Sequence, residues 1–153
     1  MFYYADYSGE LMRQQNKLVR DLEKAINGEY SAINCYAKLA EMAPTDKVRD
    51  RIREIRKDEK RHLQVFSQIY TNLTGSQPNP KQIEECSDSF VRGLENAMED
   101  EQNTVDFYLS VADETSNHYV RDAFRRAAAD EQNHAVWFLY FLTHARSRDN
   151  IQK

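Results

Sequence analysis

Chain breakers, cysteine and long apolar runs are all scarce in this 153-residue chain. Four glycines and three prolines suit a protein made of helices, whose interiors tolerate neither residue well. Breakers gather in Thr74-Gly75-Ser76-Gln77-Pro78-Asn79-Pro80, which marks a linker over about 74–87. No segment approaches the roughly 18 consecutive apolar residues of a membrane span, so no membrane association is expected. The start, Met1-Phe2-Tyr3-Tyr4-Ala5-Asp6, lacks a basic region followed by an apolar run, so no signal peptide is expected. The two cysteines, Cys35 and Cys86, form no Cys-x-x-Cys and are expected to be reduced, separate thiols of a cytoplasmic protein. A net charge of −4 and a pI near 5.6 argue against a nucleic-acid surface.

What is present is helical spacing. Four seams recur in steps of three or four residues: Leu18, Leu22, Ala25, Glu29, Ala32, Tyr36, Leu39; then Val48, Ile52, Ile55, Glu59, His62, Phe66, Ile69; then Phe90, Leu94, Ala97, Glu101, Thr104, Tyr108, Val111; then Val120, Phe124, Ala127, Glu131, His134, Phe138, Phe141. Such steps keep one face pointing inward. They predict a single all-α domain over 1–153, with helices at about 9–43, 46–73, 88–115 and 118–146. Charge dominates the remaining faces, as in Arg49 to Lys57, and the mean hydropathy of −0.83 fits narrow apolar stripes on long charged helices.

Six seam positions break the apolar rule: Glu29, Glu59, His62, Glu101, Glu131 and His134. A buried carboxylate costs several kcal/mol unless its charge is cancelled. Four glutamates and two divalent cations sum to zero, so a metal pair is the economical reading. Without metal, the carboxylates would have to be mostly protonated.

The second half repeats the first at an offset of 72 residues. Glu29, Glu59 and His62 return as Glu101, Glu131 and His134; Tyr36 returns as Tyr108, Val48-Arg49-Asp50 as Val120-Arg121-Asp122, and Asp58 as Asp130. Two similar hairpins related by an approximate two-fold are implied. In each, the lone Glu and the Glu-x-x-His lie about equally far from the turn, roughly 22 Å at 1.5 Å per residue, so they meet at one height. A linker of about 14 residues reaches roughly 45–50 Å, enough for a nearly taut crossover; a domain-swapped dimer competes with it.

On Glu29, Asp58-Glu59-Lys60-Arg61-His62, Glu101 and Asp130-Glu131-Gln132-Asn133-His134, the chain resembles the ferritin-like di-iron carboxylate proteins, close to bacterioferritin and the rubrerythrin helical domain, over about residues 10–146. The resemblance implies a ferritin-like four-helix bundle of two helical hairpins joined by a long crossover. It implies that Glu59 and Glu131 bridge two irons, that Glu29 and Glu101 bind terminally, and that His62 and His134 each hold one metal. It also implies that Asp58 orients His134 and Asp130 orients His62. The same donor set would take manganese, and zinc in vitro.

Tyr36 and Tyr108 follow the terminal glutamates by two turns. They are read as hydrogen-bond partners of those glutamates, as electron carriers or as plain packing. Trp137 is read as core packing, and His118 and His144 as surface residues. The leading function is a di-iron oxidoreductase, a ferroxidase or a peroxide- or oxygen-reducing enzyme whose catalytic residues are the metal site itself. The competing readings are a non-catalytic iron or manganese binding or storage protein, and a bundle serving only as a helical partner surface. Where rubrerythrin carries an extra third-helix glutamate, this chain has Thr104 and Val105, and two cysteines cannot build its four-cysteine iron domain. An electron donor would then be a separate protein. The chain ends about nine residues after His144, which leaves little room for the short fifth helix of ferritin cages; a homodimer or larger homo-oligomer is expected.

Overall fold

The computed structural model describes residues 2–151. It contains four helices and, among the described residues, no strand: α1 (Phe2–Glu41), α2 (Asp46–Thr74), α3 (Phe90–Glu114) and α4 (His118–Ile151). Among the described residues, no helix is long and apolar enough to cross a membrane. Helix α1 starts earlier than its seam predicts, and α4 runs on beyond Arg146, because neither stretch contains a proline or more than one glycine to stop it.

Local chemistry sets the remaining ends. Thr45 caps α2 by accepting from the Val48 amide at 3.3 Å, Ser89 caps α3 through Arg92 at 3.3 Å, and Asn117 precedes α4 and accepts from Val120 at 3.1 Å. Gly75 ends α2 in the left-handed conformation (φ 73°) and returns its N–H to Thr71, a position where only glycine avoids strain. The duplication extends to the turns. The Arg49 guanidinium donates to the Ala43 carbonyl at 3.2 Å, and Arg121, at the matching place, donates to Thr115 at 2.9 Å.

Backbones pack closely within each hairpin, α1 with α2 and α3 with α4; α1 meets α3 and α2 meets α4 more loosely. The diagonal pairs meet through side chains, as Tyr36 of α1 does with Phe138 of α4 and Phe66 of α2 with Tyr108 of α3. Between α2 and α3 the chain runs without regular structure from Gly75 to Ser89. It lies along α1, with Lys81 beside Asn27, Ile83 beside Ser31 and Asp88 beside Lys38. Chain and helix therefore advance in the same direction, and α3 begins beside the end of α1. This places α3 antiparallel to α1 and parallel to α2, the long-crossover topology.

The expectation of separate reduced thiols is corrected here. Cys35 on α1 and Cys86 on the crossover form a disulfide across a sequence separation of 51. The crossover lays Cys86 against α1, and that proximity is invisible in a spacing pattern.

Two apolar clusters fill the bundle. One holds Leu22, Ile26, Phe66, Ile69, Val111 and Phe124, with Phe66 and Phe124 stacked at 4.5 Å and Tyr108 edge-on to both. The other holds Leu39, Ile52, Ile55, Leu94, Phe138 and Leu142, with Tyr36 tilted against Phe138 at 5.0 Å. Each buried aliphatic or aromatic side chain contributes roughly 1.5–3 kcal/mol. Trp137 is half-buried against the second cluster, with the Arg51 guanidinium 4.2 Å above its ring. His118 and His144 are exposed. The six polar seam residues form a layer between these two clusters.

Candidate metal centre

All six seam residues are buried, none more than 4% exposed. Their donor atoms fall into two groups, Glu29, Glu59, His62 and Glu131, and Glu59, Glu101, Glu131 and His134, with the atoms of each group all within 4.8 Å of one another. Glu59 and Glu131 stand in both groups; Glu29 and His62 stand in one, Glu101 and His134 in the other. The imidazoles, 6.3 Å apart between ring centres, aim Nδ1 into the cluster. His134 Nδ1 lies 3.1 Å from Glu59 Oε1, and His62 Nδ1 lies 3.0 Å from Glu131 Oε1.

The outward nitrogens are held crosswise. His62 Nε2 is 2.9 Å from Asp130 Oδ2 and His134 Nε2 is 2.9 Å from Asp58 Oδ2. Each imidazole is thus oriented by the opposite hairpin, with a carboxylate fixing which nitrogen faces inward. The tyrosines cross over too. Tyr36 donates to Glu101 Oε1 at 2.5 Å, and Tyr108 donates to Glu29 Oε1. Burial, and then the charge of Glu101 or Glu29, pushes both phenols well above their ordinary range, so they stay protonated donors.

Sequence reading missed Arg61. It reaches Asp58 at 3.0 Å and Asp130 at 3.1 Å, tying together the two aspartates that hold the histidines. The repeat offers no signal for it, since its counterpart is Asn133.

The donors fit a metal pair. Glu29 Oε2, Glu59 Oε1, Glu131 Oε1 and His62 Nδ1 are buried with no hydrogen-bond partner; the short His62–Glu131 approach lacks hydrogen-bond alignment. A buried polar atom without a partner costs about 1–3 kcal/mol or more, whereas lone pairs converging on one point are what a cation requires. Without a cation, protons take its place. Burial and the neighbouring carboxylates hold Glu59 and Glu131 well above the ordinary carboxylate range. His62 is opposed by burial, but the bond and charge of Glu29 outweigh this and raise it to about 9; His134 is raised by the same kind of contacts with Glu101, Glu131 and Glu59. Two protonated imidazoles and two neutral glutamic acids would balance the cluster, as would two divalent cations with every ligand deprotonated. Four carboxylates and two imidazoles, with no thiolate, are the donors preferred by iron and manganese.

A cavity of about 460 Å³ between α1 and α3 reaches Glu29, Glu101 and both tyrosines, and is roofed by residues 83–87 of the crossover. Glu84, Glu99 and Asp100 stand around it. Burial and the Glu84 carboxyl raise Asp100 to about 7.

The rubrerythrin family model matches residues 21–89 and 93–153. The chain belongs to the rubrerythrin family. This rubrerythrin-family chain is 61% identical over 130 residues to the protein YhjR of Bacillus subtilis (strain 168), covering 85% of this chain and 90% of that one. Solved structures share the fold at low identity. The bacterioferritin of Desulfovibrio desulfuricans has a TM-score of 0.77 at 21% identity, over 88% of this chain and 83% of that one. A protein from Xanthomonas campestris pv. campestris has a TM-score of 0.81 at 16% identity, over 92% of this chain and 99% of that one. The fold is ferritin-like, and its buried acidic and histidine cluster is compatible with a di-iron site.

Proposed function

We propose that this protein is a di-iron carboxylate oxidoreductase acting on oxygen or peroxide, with the ferroxidase reaction as its simplest turnover. The observation that carries the reading is the overlap of the two donor groups in Glu59 and Glu131, which lets two carboxylates serve a metal pair at once. Glu29 and His62 would complete one metal's ligands, and Glu101 and His134 the other's. Bound as a pair, two irons supply two electrons together to one oxidant.

The chain's own residues do the rest. Asp58 and Asp130 hold the imidazoles with Nδ1 inward. Tyr36 and Tyr108 donate to Glu101 and Glu29, fixing each carboxylate so that its other oxygen remains free for metal. The two flanking apolar clusters keep bulk water from the polar layer, which strengthens every charge interaction inside it. The cavity between α1 and α3 gives a small oxidant a way in. The D. desulfuricans bacterioferritin, whose di-iron site is described in different catalytic states, shares this bundle and supports iron as the metal. Reducing electrons would come from a separate donor.

Non-catalytic iron or manganese storage uses the same ligands, and turnover separates the two readings. Anaerobic loading with ferrous iron followed by oxygen or peroxide should consume oxidant and raise the near-ultraviolet absorption of ferric iron. Confirmed bound iron with no oxidant consumption would leave only binding.

A further inference from the structure

A series of polar contacts fastens the crossover to α1. The Lys81 amide donates to Asn27 Oδ1 at 2.8 Å, the Ile83 amide donates to the buried Ser31 hydroxyl at 2.9 Å, and Lys38 pairs with the exposed Asp88. Water competes with the exposed Lys38–Asp88 pair, and net hydrogen-bond contributions are small. Apolar anchoring is weak, since Ile83 is 55% exposed. The Cys35–Cys86 disulfide is the single covalent link, and it sits where the crossover roofs the cavity that reaches Glu29 and Glu101. Both cysteines are only half-buried, so a reductant can reach them. The repeat supplies a contrast, because Phe107 occupies the place on α3 that matches Cys35. The bundle therefore does not need a cysteine there in order to pack.

We propose that Cys35 and Cys86 form a thiol–disulfide latch that governs access to the metal-binding cavity, with a protein or small-molecule dithiol as its reductant. A donor thiolate attacks one sulfur, the Cys35–Cys86 bond breaks, and a mixed disulfide forms while the other cysteine leaves as thiolate. The donor's second thiolate then displaces the bound cysteine. Two electrons and two protons pass from donor to protein, leaving two thiols here and one disulfide on the donor. With the latch open, segment 81–88 is held by noncovalent contacts alone, and the roof leaves the cavity more often. In reducing surroundings ions and oxidant pass to and from the centre faster; in oxidising surroundings they pass more slowly.

The proposal rests on the metal reading only for what passes through the cavity, so its test has two arms. Hydrogen exchange is compared for the oxidised protein, the reduced protein and the double variant Cys35→Ser/Cys86→Ser. The amides of 81–88 should exchange at least tenfold faster in the latter two, with core amides of α4 unchanged. Cobalt(II)-loaded oxidised protein and the cobalt(II)-loaded double variant are then mixed with excess EDTA, and the variant should release metal at least tenfold faster. Exchange at 81–88 within twofold in all forms would overturn the latch. So would a rise spread equally over all four helices, which would mark a purely structural bond, or equal release rates from loaded forms. Failure of cobalt(II) to bind counts against the metal reading alone, and the exchange arm then decides.

Discussion

Hairpin α1–α2 and hairpin α3–α4 each give the central layer one Glu, one Glu-x-x-His, one tyrosine and one aspartate, at positions 72 residues apart. Behind that layer they part. Asn27, Ser31, Cys35 and Lys38 on α1, which hold the crossover, correspond to Glu99, Asn103, Phe107 and Ser110 on α3, and Arg61 corresponds to Asn133. The side chains that face the cluster are duplicated; those that hold the crossover are not. Symmetry is kept in the layer proposed to hold two cations and dropped where the crossover covers one side.

The sharpest way to break this comparison is to remove ligands singly. Glu59→Ala or Glu131→Ala, each in both donor groups, should abolish binding of both metals. Glu29→Ala or Glu101→Ala should each leave about one metal per chain. In metal at 100 times its Kd, losing a bound ion removes about 2.7 kcal/mol of stabilisation, so the shared-ligand variants should show the larger drop in melting temperature. Equal stoichiometries for all four variants would mean that no carboxylate is shared.

The aspartates test the symmetry one step out. Asp58→Ala and Asp130→Ala should each weaken metal binding by roughly 10- to 100-fold, about equally, in a competition titration with a metallochromic chelator. Arg61→Ala touches both aspartates but is half-exposed, so its effect should be several-fold at most, and Asn133→Ala should have none. Unequal aspartate effects would show that the hairpins hold their histidines differently.

Acid and base should separate the metal-free and loaded proteins. In the metal-free protein, Glu59 and Glu131 lie above their ordinary 4.5 and His62 is raised from 6.5 to about 9. Folded values above unfolded ones give stability that is complete below the unfolded value and lost as pH rises through the folded one. Metal-free protein should therefore melt progressively lower from pH 5 to 9. Loaded protein needs deprotonated ligands and should melt higher as pH rises from 5 to 7. Parallel pH profiles by calorimetry would contradict this.

The smallest expected effects concern two glycines near the cavity. A Cβ at Gly28 meets nothing within 4 Å, whereas one at Gly93 would lie 2.7 Å from Leu39 Cδ1. Gly28→Ala should stabilise by up to about 1 kcal/mol through helix propensity. Gly93→Ala, which crowds α3 against α1, should forfeit that gain, as chemical denaturation would show.

The fold and the buried layer of glutamates and histidines were legible because a strict helical period makes any charged seam residue conspicuous, and because the repeat places Glu101, Glu131 and His134 where chance would not. The crossed tyrosine bonds were only half legible. Tyr36 and Tyr108 sit two turns from Glu29 and Glu101 in their own helices, but each reaches the glutamate of the other hairpin, which depends on how the hairpins face. Arg61 reads as an ordinary surface charge until both aspartates are seen beside it. The disulfide could not be read from spacing, because Cys86 reaches α1 only through the path of an irregular crossover. A trace of that path was present in the polar residues Asn27, Ser31 and Asn34 on one side of α1, and in the mismatch between them and α3.

Whether two cations neutralise the buried acidic layer can be read from a ferrous titration followed in a pH-stat. Saturation at two irons per chain is expected, with protons released from the imidazoles and from Glu59 and Glu131 as metal displaces them. Saturation at one iron or none, or two irons bound with the same affinity by Glu59→Ala, would contradict it.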